Sequence, residues 1–155
     1  MPAVDGWMTL EEPPALLGRK CPVCGTYMFP PTGNWCPNPA CDCDDLETVP
    51  LSRTGTIWSY TDAQYQPPAP YVAPAGPYEP FAIAAVELAA ERIVVLGQVA
   101  SGYGIGDLRV GAPVEMVVEP LGDEADKGGA DDSGPQRMVW RWRPADAGVG
   151  PGRAE

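Results

Sequence analysis

A chain of 155 residues that is 45% apolar can close one domain, or one domain with a small appendage, but not two large cores. Its 18 glycines and 20 prolines favour turns and short strands over long helices, and a formal charge of −11 argues against a surface that tracks phosphates. The absence of histidine excludes Ser-His and Cys-His dyads, an imidazole base and any His-ligated metal.

The opening stretch MPAVDGWMTLEEPPALLG, residues 1–18, reads as a short lead-in. It lacks a basic start followed by an apolar run, and no segment reaches the roughly 20 apolar residues of a membrane helix. The expectation is a cytoplasmic protein with no membrane contact. All five cysteines then fall between Cys21 and Cys43. In a reducing compartment such clustering, with an odd total, points to metal ligation rather than disulfides.

Cys21 and Cys24 form a CPVCG knuckle; Cys36 and Cys41 form a looser second one in CPNPAC, eleven residues on. Two cysteine pairs at such spacing can close a tetrahedron around Zn2+, with Zn–S bonds of about 2.3 Å. Proline at 22, 37 and 39 and glycine at 25 suit the tight turns that aim two thiolates at one point, and Asn38 can hydrogen-bond within its own turn. Cys41 and Cys43 compete for the fourth position; Cys41 is preferred, with Cys43 a free thiol beside the site. Four thiolates leave no open position on the ion, so the metal is read as structural. It would fold residues 19–50, a rubredoxin-like zinc ribbon too small to bury a core of its own.

Residues 51–144 follow a strand pattern. After a turn at Arg53 to Gly55, IWSY alternates Ile57 with Trp58 and Ser59 with Tyr60. Burial statistics favour Trp58 and Phe81 as core residues. Gln66 to Pro80 holds six prolines and cannot enter a sheet interior, so it is expected to form a surface loop carrying Tyr71 and Tyr78. PFAIAAVELA and RIVVLGQVA flank a short turn and read as a hairpin, with Glu87 facing solvent on an edge. SGYGIGDLRVG allows one helical turn, at Asp107 to Val110. APVEMVVEPL places Val114, Met116 and Val118 on one face, and RMVWRWRP places Met138, Trp140 and Trp142 on one face. The acidic residues 122–134 read as a flexible loop and 145–155 as a fraying tail. The expected class is therefore mainly β, a zinc ribbon followed by a five-stranded OB-fold barrel.

This order of features (four cysteines, LSRTGTIWSYT, a proline-tyrosine loop, PFAIAAVEL, VVLGQVASG, VGAPVEMVVEPL and a tryptophan strand) resembles the thiolase-associated zinc-ribbon/OB-fold family, an acyl-CoA-associated domain of unknown function. The resemblance runs from about Arg19 to Pro144. It implies a small non-catalytic subunit, in a heterotetramer or larger, whose thiolase-like partner carries the nucleophile and acid/base groups. The small chain would help form an acyl-CoA site in enzymes that break down lipids, steroids or aromatic compounds. The chain departs from the family in its short, proline-broken lead-in and in the four-residue spacer of its second knuckle.

Candidate contacts to ligand or partner are Tyr65, Tyr71, Tyr78 and Phe81 on or beside the proline loop, where rigid amphipathic rings gain contact area at low entropy cost. Arg53 is a candidate for a CoA phosphate. A single-stranded nucleic-acid binder of ribbon and OB type is the alternative, disfavoured because Lys20 and Lys127 are the only lysines. A stand-alone acyl-CoA hydrolase using Cys43, Glu87 or Asp107 is a weaker alternative, since three aspartates flank Cys43 and should raise its pKa.

Overall fold

The structure, a computed structural model, describes residues 1–69, 71, 76–121 and 136–145. The expected acidic loop 122–134 and all but the first residue of the expected tail lie outside these. Nine strands and one 3₁₀ turn make up the described regular structure. None of the described helices is long and apolar enough to cross a membrane.

Strands β1 (Met8–Thr9), β2 (Ala15–Lys20), β3 (Tyr27–Met28) and β4 (Glu47–Pro50) form an N-terminal sheet in which β2 pairs antiparallel with all three others. Prolines bound the central strand, Pro13 and Pro14 before it and Pro22 after it, because a residue without an N–H cannot extend the ladder. β2 crosses the expected boundary between lead-in and ribbon. Further upstream, Pro2 forms a parallel bridge with Met138.

The second sheet contains β5 (Thr54–Ala63), β6 (Phe81–Leu88), β7 (Val94–Gln98), β8 (Pro113–Pro120) and β9 (Met138–Pro144), in the order β7-β6-β5-β8-β9. All these neighbours are antiparallel. The sheet curls until its two ends meet: Val99, just past β7, bridges Trp142 of β9 in parallel, and the Ala100 N–H donates to the Trp142 carbonyl at 2.8 Å. Three antiparallel strands, a return through β8 and a parallel contact between the third and fifth strands are the connectivity of an OB fold.

Alternation decides what lies inside. Ile57, Ala84, Val86, Leu88, Val95, Val114, Met116 and Trp142 are buried and belong to one core, which continues through Leu51 to Leu16 and Met8 of the N-terminal sheet. An aromatic group joins the two sheets as well. Phe29 meets Trp7 and Trp140 edge-on at centroid distances of 5.6 and 5.8 Å, and Trp7 lies 6.3 Å from Trp140. Such edge-to-face pairs add to the burial of the rings themselves.

Several sequence expectations change here. Gly55 is not in a turn but inside β5, where a Cβ would stand 2.4 Å from the Glu87 carbonyl oxygen; only glycine allows β5 and β6 to approach so closely. Trp58 is not core. The β5–β6 register shifts between Ile57 and Ser59, and this bulge leaves Trp58 62% exposed. Phe81 is half-buried rather than core, and Glu87 lies not on an edge but on the inner strand β6, between β7 and β5, paired with Arg92 at 2.8 Å. The helical turn spans Ile105–Asp107, earlier than expected, because the Asp107 carboxylate accepts the Gly104 N–H at 2.9 Å and closes it from its last residue.

Candidate metal centre and its surroundings

The first knuckle starts where β2 ends. The Cys21 N–H donates to the Thr26 carbonyl at 2.8 Å and the Gly25 N–H to the Cys21 carbonyl at 2.9 Å, which folds residues 21–26 into a tight turn. Gly25 takes φ +78, a conformation that an L side chain strains to reach. In the second knuckle the Asn38 side chain accepts the Ala40 N–H at 3.0 Å and its carbonyl accepts the Cys41 N–H at 2.9 Å. Asn38 thus shapes its own turn, as its residue type suggests.

These turns bring Cys21, Cys24, Cys36 and Cys41 together with all four sulfurs within 4.8 Å of one another. Sγ of Cys24 and Cys36 are 3.4 Å apart, and Sγ of Cys21 and Cys41 are 3.8 Å apart. A tetrahedron with metal–sulfur bonds of about 2.3 Å has edges of about 3.8 Å, so the donor set and its spacing fit a thiolate-bound metal such as zinc. The Cys43 thiol is not in the group and points instead toward the Asp45 carbonyl at 3.8 Å. Its main chain supports the second knuckle, accepting the Cys36 N–H at 2.9 Å.

The protonation of the sulfurs is uneven. The Thr26 hydroxyl, 3.1 Å from Sγ, and the Thr26 backbone lower the Cys24 thiol to about 6. Burial pushes Cys36 up to about 12, opposed by the Asn38 backbone and reinforced by the neighbouring sulfurs. Bringing all four to the thiolate form in one small volume calls for a cation among them. Around Cys43 the Asp45 backbone favours the thiolate, but burial, Cys21 and Asp44 outweigh it and raise the thiol.

The aromatic candidates divide into two groups. Tyr71 stacks on Phe81 at 5.3 Å with an interplanar angle of 10°, and Tyr78 meets Phe81 edge-on at 6.4 Å. The Tyr78 hydroxyl donates to the Ala63 carbonyl; burial first, then Tyr71 and Asp62, raises its pKa. These contacts hold Tyr71 and Tyr78 against the start of β6 and the end of β5. Tyr65, by contrast, is 87% exposed, just after β5, and makes no ring contact among the described residues.

Arg53 is exposed and donates through Nε to the Pro14 carbonyl at 2.7 Å. It lines an open cleft of about 710 Å³ with Lys20, Tyr27, Leu51 and Glu91. Glu91 is itself engaged, accepting the Ser52 N–H at 2.9 Å and the Ser52 hydroxyl.

Elsewhere, Glu119 of β8 accepts the Ser101 N–H and hydroxyl, both at 2.9 Å, and pairs with Arg141 of β9 at 3.5 Å. Arg141 also donates to Gln98 of β7. This polar clamp sits where the ends of the curled sheet meet; sequence reading passed over it because its members are far apart in the chain. Exposed Val23, Trp35 and Leu96 were missed too. For Leu96 the signal was present: VVLGQ is apolar at successive positions, so both faces of that strand carry apolar side chains.

Comparison with known proteins follows the same division. Residues 48–119 match the family described as the ChsH2 C-terminal OB-fold domain. The chain is 29% identical over 113 residues to the benzoylsuccinyl-CoA thiolase subunit BbsA of Thauera aromatica, covering 73% of this chain and 69% of that protein. Among solved structures it resembles a chain of the Ltp2-ChsH2(DUF35) aldolase with a TM-score of 0.60 and 27% identity, covering 84% of this chain and 85% of the other. Together with the curled five-stranded sheet and the cysteine cluster, these likenesses support a thiolase-associated OB-fold family.

Proposed function

We propose that this chain is a non-catalytic accessory subunit that binds a thiolase-like enzyme, a thiolase or a retro-aldolase, and helps form its acyl-CoA site. The observation that carries this reading is the extent of the likeness to the aldolase chain, 84% of this protein, well beyond the OB domain alone. The chemistry of the chain agrees. It has no histidine, its clustered thiolates would saturate a structural zinc, and the thiol outside that cluster is raised.

The division of labour is physical. The partner would supply nucleophile and proton transfer, while this subunit positions the acyl group or its CoA handle, lowering the barrier through orientation. Arg53, on the open cleft, and Tyr65, 87% exposed, are the side chains best placed to touch a ligand or the partner. Tyr71, Tyr78 and Phe81 would act through the ring packing they make with one another beside the β5–β6 pair. The working assembly is a heterotetramer or larger in the cytoplasm.

The test is co-expression with candidate thiolase-like proteins, followed by size-exclusion chromatography and acyl-CoA turnover. The expected result is a stable complex whose turnover neither chain gives alone. Acyl-CoA cleavage by this chain in isolation, or failure to associate with every candidate thiolase-like enzyme, would overturn the reading.

A further inference from the structure

Arg19, near the end of β2, differs from Arg92, Arg141 and Arg143, each of which pairs with a carboxylate. It is half-buried, and its guanidinium reaches only neutral acceptors: Asn34 Oδ1 at 3.1 Å and the Leu46 carbonyl at 3.4 Å. Its Nε–H is buried with no partner among the described residues. Asp45 and Glu47 stand on either side of Leu46, but both are exposed and neither forms an ion pair with Arg19. A guanidinium drawn out of water without a counter-charge is costly, and it is retained here in a chain with 21 acidic side chains.

The position of Arg19 in the fold supplies the missing anion. Pairing with Met28 of β3 on one side and Thr48 of β4 on the other fixes its backbone. Alternation along β2 turns Lys20 into the open cleft and Arg19 to the opposite side, that of Cys21. Its two acceptors bracket the second knuckle, Asn34 just before Cys36 and Leu46 shortly after Cys41. Arg19 therefore ties the strand that leads into the first knuckle to both flanks of the second. Four thiolates around a divalent ion carry a net negative charge, and groups outside the ligand set orient and tune the ligands within it.

We infer that Arg19 is the counter-charge of the cysteine metal centre, offsetting the excess charge of the thiolates while it holds the second knuckle to β2. It is a positioning residue and not a fifth ligand. This rests on the thiolate reading of the centre and not on the partner subunit.

The experiment loads the full chain with Zn2+ or Co2+ and compares wild type, Arg19→Met, which keeps the stem, and Arg19→Lys, which keeps the charge. The near-UV signal of buried Trp142 reports an intact barrel in each. In competition with a chromophoric chelator, Arg19→Met should bind Zn2+ at least about tenfold more weakly than wild type. Its thiolate-to-Co2+ charge-transfer bands should move to lower energy, because sulfur electrons no longer held by a nearby cation are easier to transfer. Arg19→Lys should recover most of both effects. Wild-type affinity and bands in Arg19→Met overturn the inference. So does equal weakening in both variants with unmoved bands, which makes Arg19 a neutral tie whose fork matters and whose charge does not. If Arg19→Met takes up no metal at all, Arg19→Lys decides: uptake with wild-type bands supports the counter-charge, and an equally empty centre overturns it. A wild-type chain that binds neither ion removes the metal centre itself and this inference with it.

Discussion

The ribbon and the barrel are both β structure, but different forces hold them. The barrel buries Ile57, Val86, Leu88, Met116 and Trp142 between strands of up to ten residues, so each strand is fixed by neighbours on two sides. In the N-terminal sheet β1 and β3 are two residues long, and in the ribbon the segment from Cys21 to Cys43 contributes only Cys21 to the buried set. Apolar burial can sustain the first region. The second depends on side chains converging on a point, which is the usual recourse of segments too small for a core. The two are nevertheless continuous, because Leu16, Leu51, Trp7 and Phe29 pack toward the barrel.

The strongest way to separate them is at the metal. Cys24→Ser removes a thiolate that the Thr26 hydroxyl favours, and a three-sulfur remnant has lost the closed tetrahedron. Bound zinc should fall from about one per chain to near zero, and proteolysis should open the segment around residues 21–43. Strong chelators should do the same to the wild type. The near-UV signal of Trp142, fully buried in the barrel, should change little. Full metal content in the variant would show that the sulfur cluster is not what holds the ribbon.

A smaller effect is expected at the seam. Trp140 reaches from β9 to Phe29 and Trp7, so Trp140→Ala removes the ring on which both depend. The expected loss is about 3 kcal/mol, read as a lower denaturation midpoint with zinc content unchanged. If zinc uptake weakens as well, the two regions are coupled more tightly than the separate forces suggest.

How much of this could be read in the sequence depended on whether the cause was local. The knuckles were legible because proline, glycine and asparagine fix turns over a few residues, and the strands from β6 to β9 because alternation or apolar runs mark them. Trp58 was misplaced because a bulge leaves the composition of a strand untouched while reversing the direction of a side chain. Gly55 read as a turn because its real constraint, the Glu87 carbonyl on the next strand, lies more than thirty residues away in the chain. Tyr71 and Tyr78 read as contact rings on a loop; that both engage Phe81 is a tertiary contact, which periodicity does not specify.

The same lesson bears on the last and smallest effect, at the closure of the barrel. Arg141 is largely buried, its side chain 16% exposed, and burial lowers its pKa against the pull of Glu119. Replacing it with methionine keeps the stem that packs there and removes the head group that reaches Gln98 and Glu119. Glu119 would not be orphaned, because Ser101 still donates two hydrogen bonds to it. The cost of Arg141→Met should therefore be about 1 kcal/mol, well short of that for breaking a buried ion pair outright. Glu119→Gln in the Arg141→Met background should then cost less than it does in the wild type, a coupling that a double-mutant cycle measures. If instead Arg141→Met lowers stability as much as Trp140→Ala, the clamp rather than the apolar core decides whether the ends of the sheet meet.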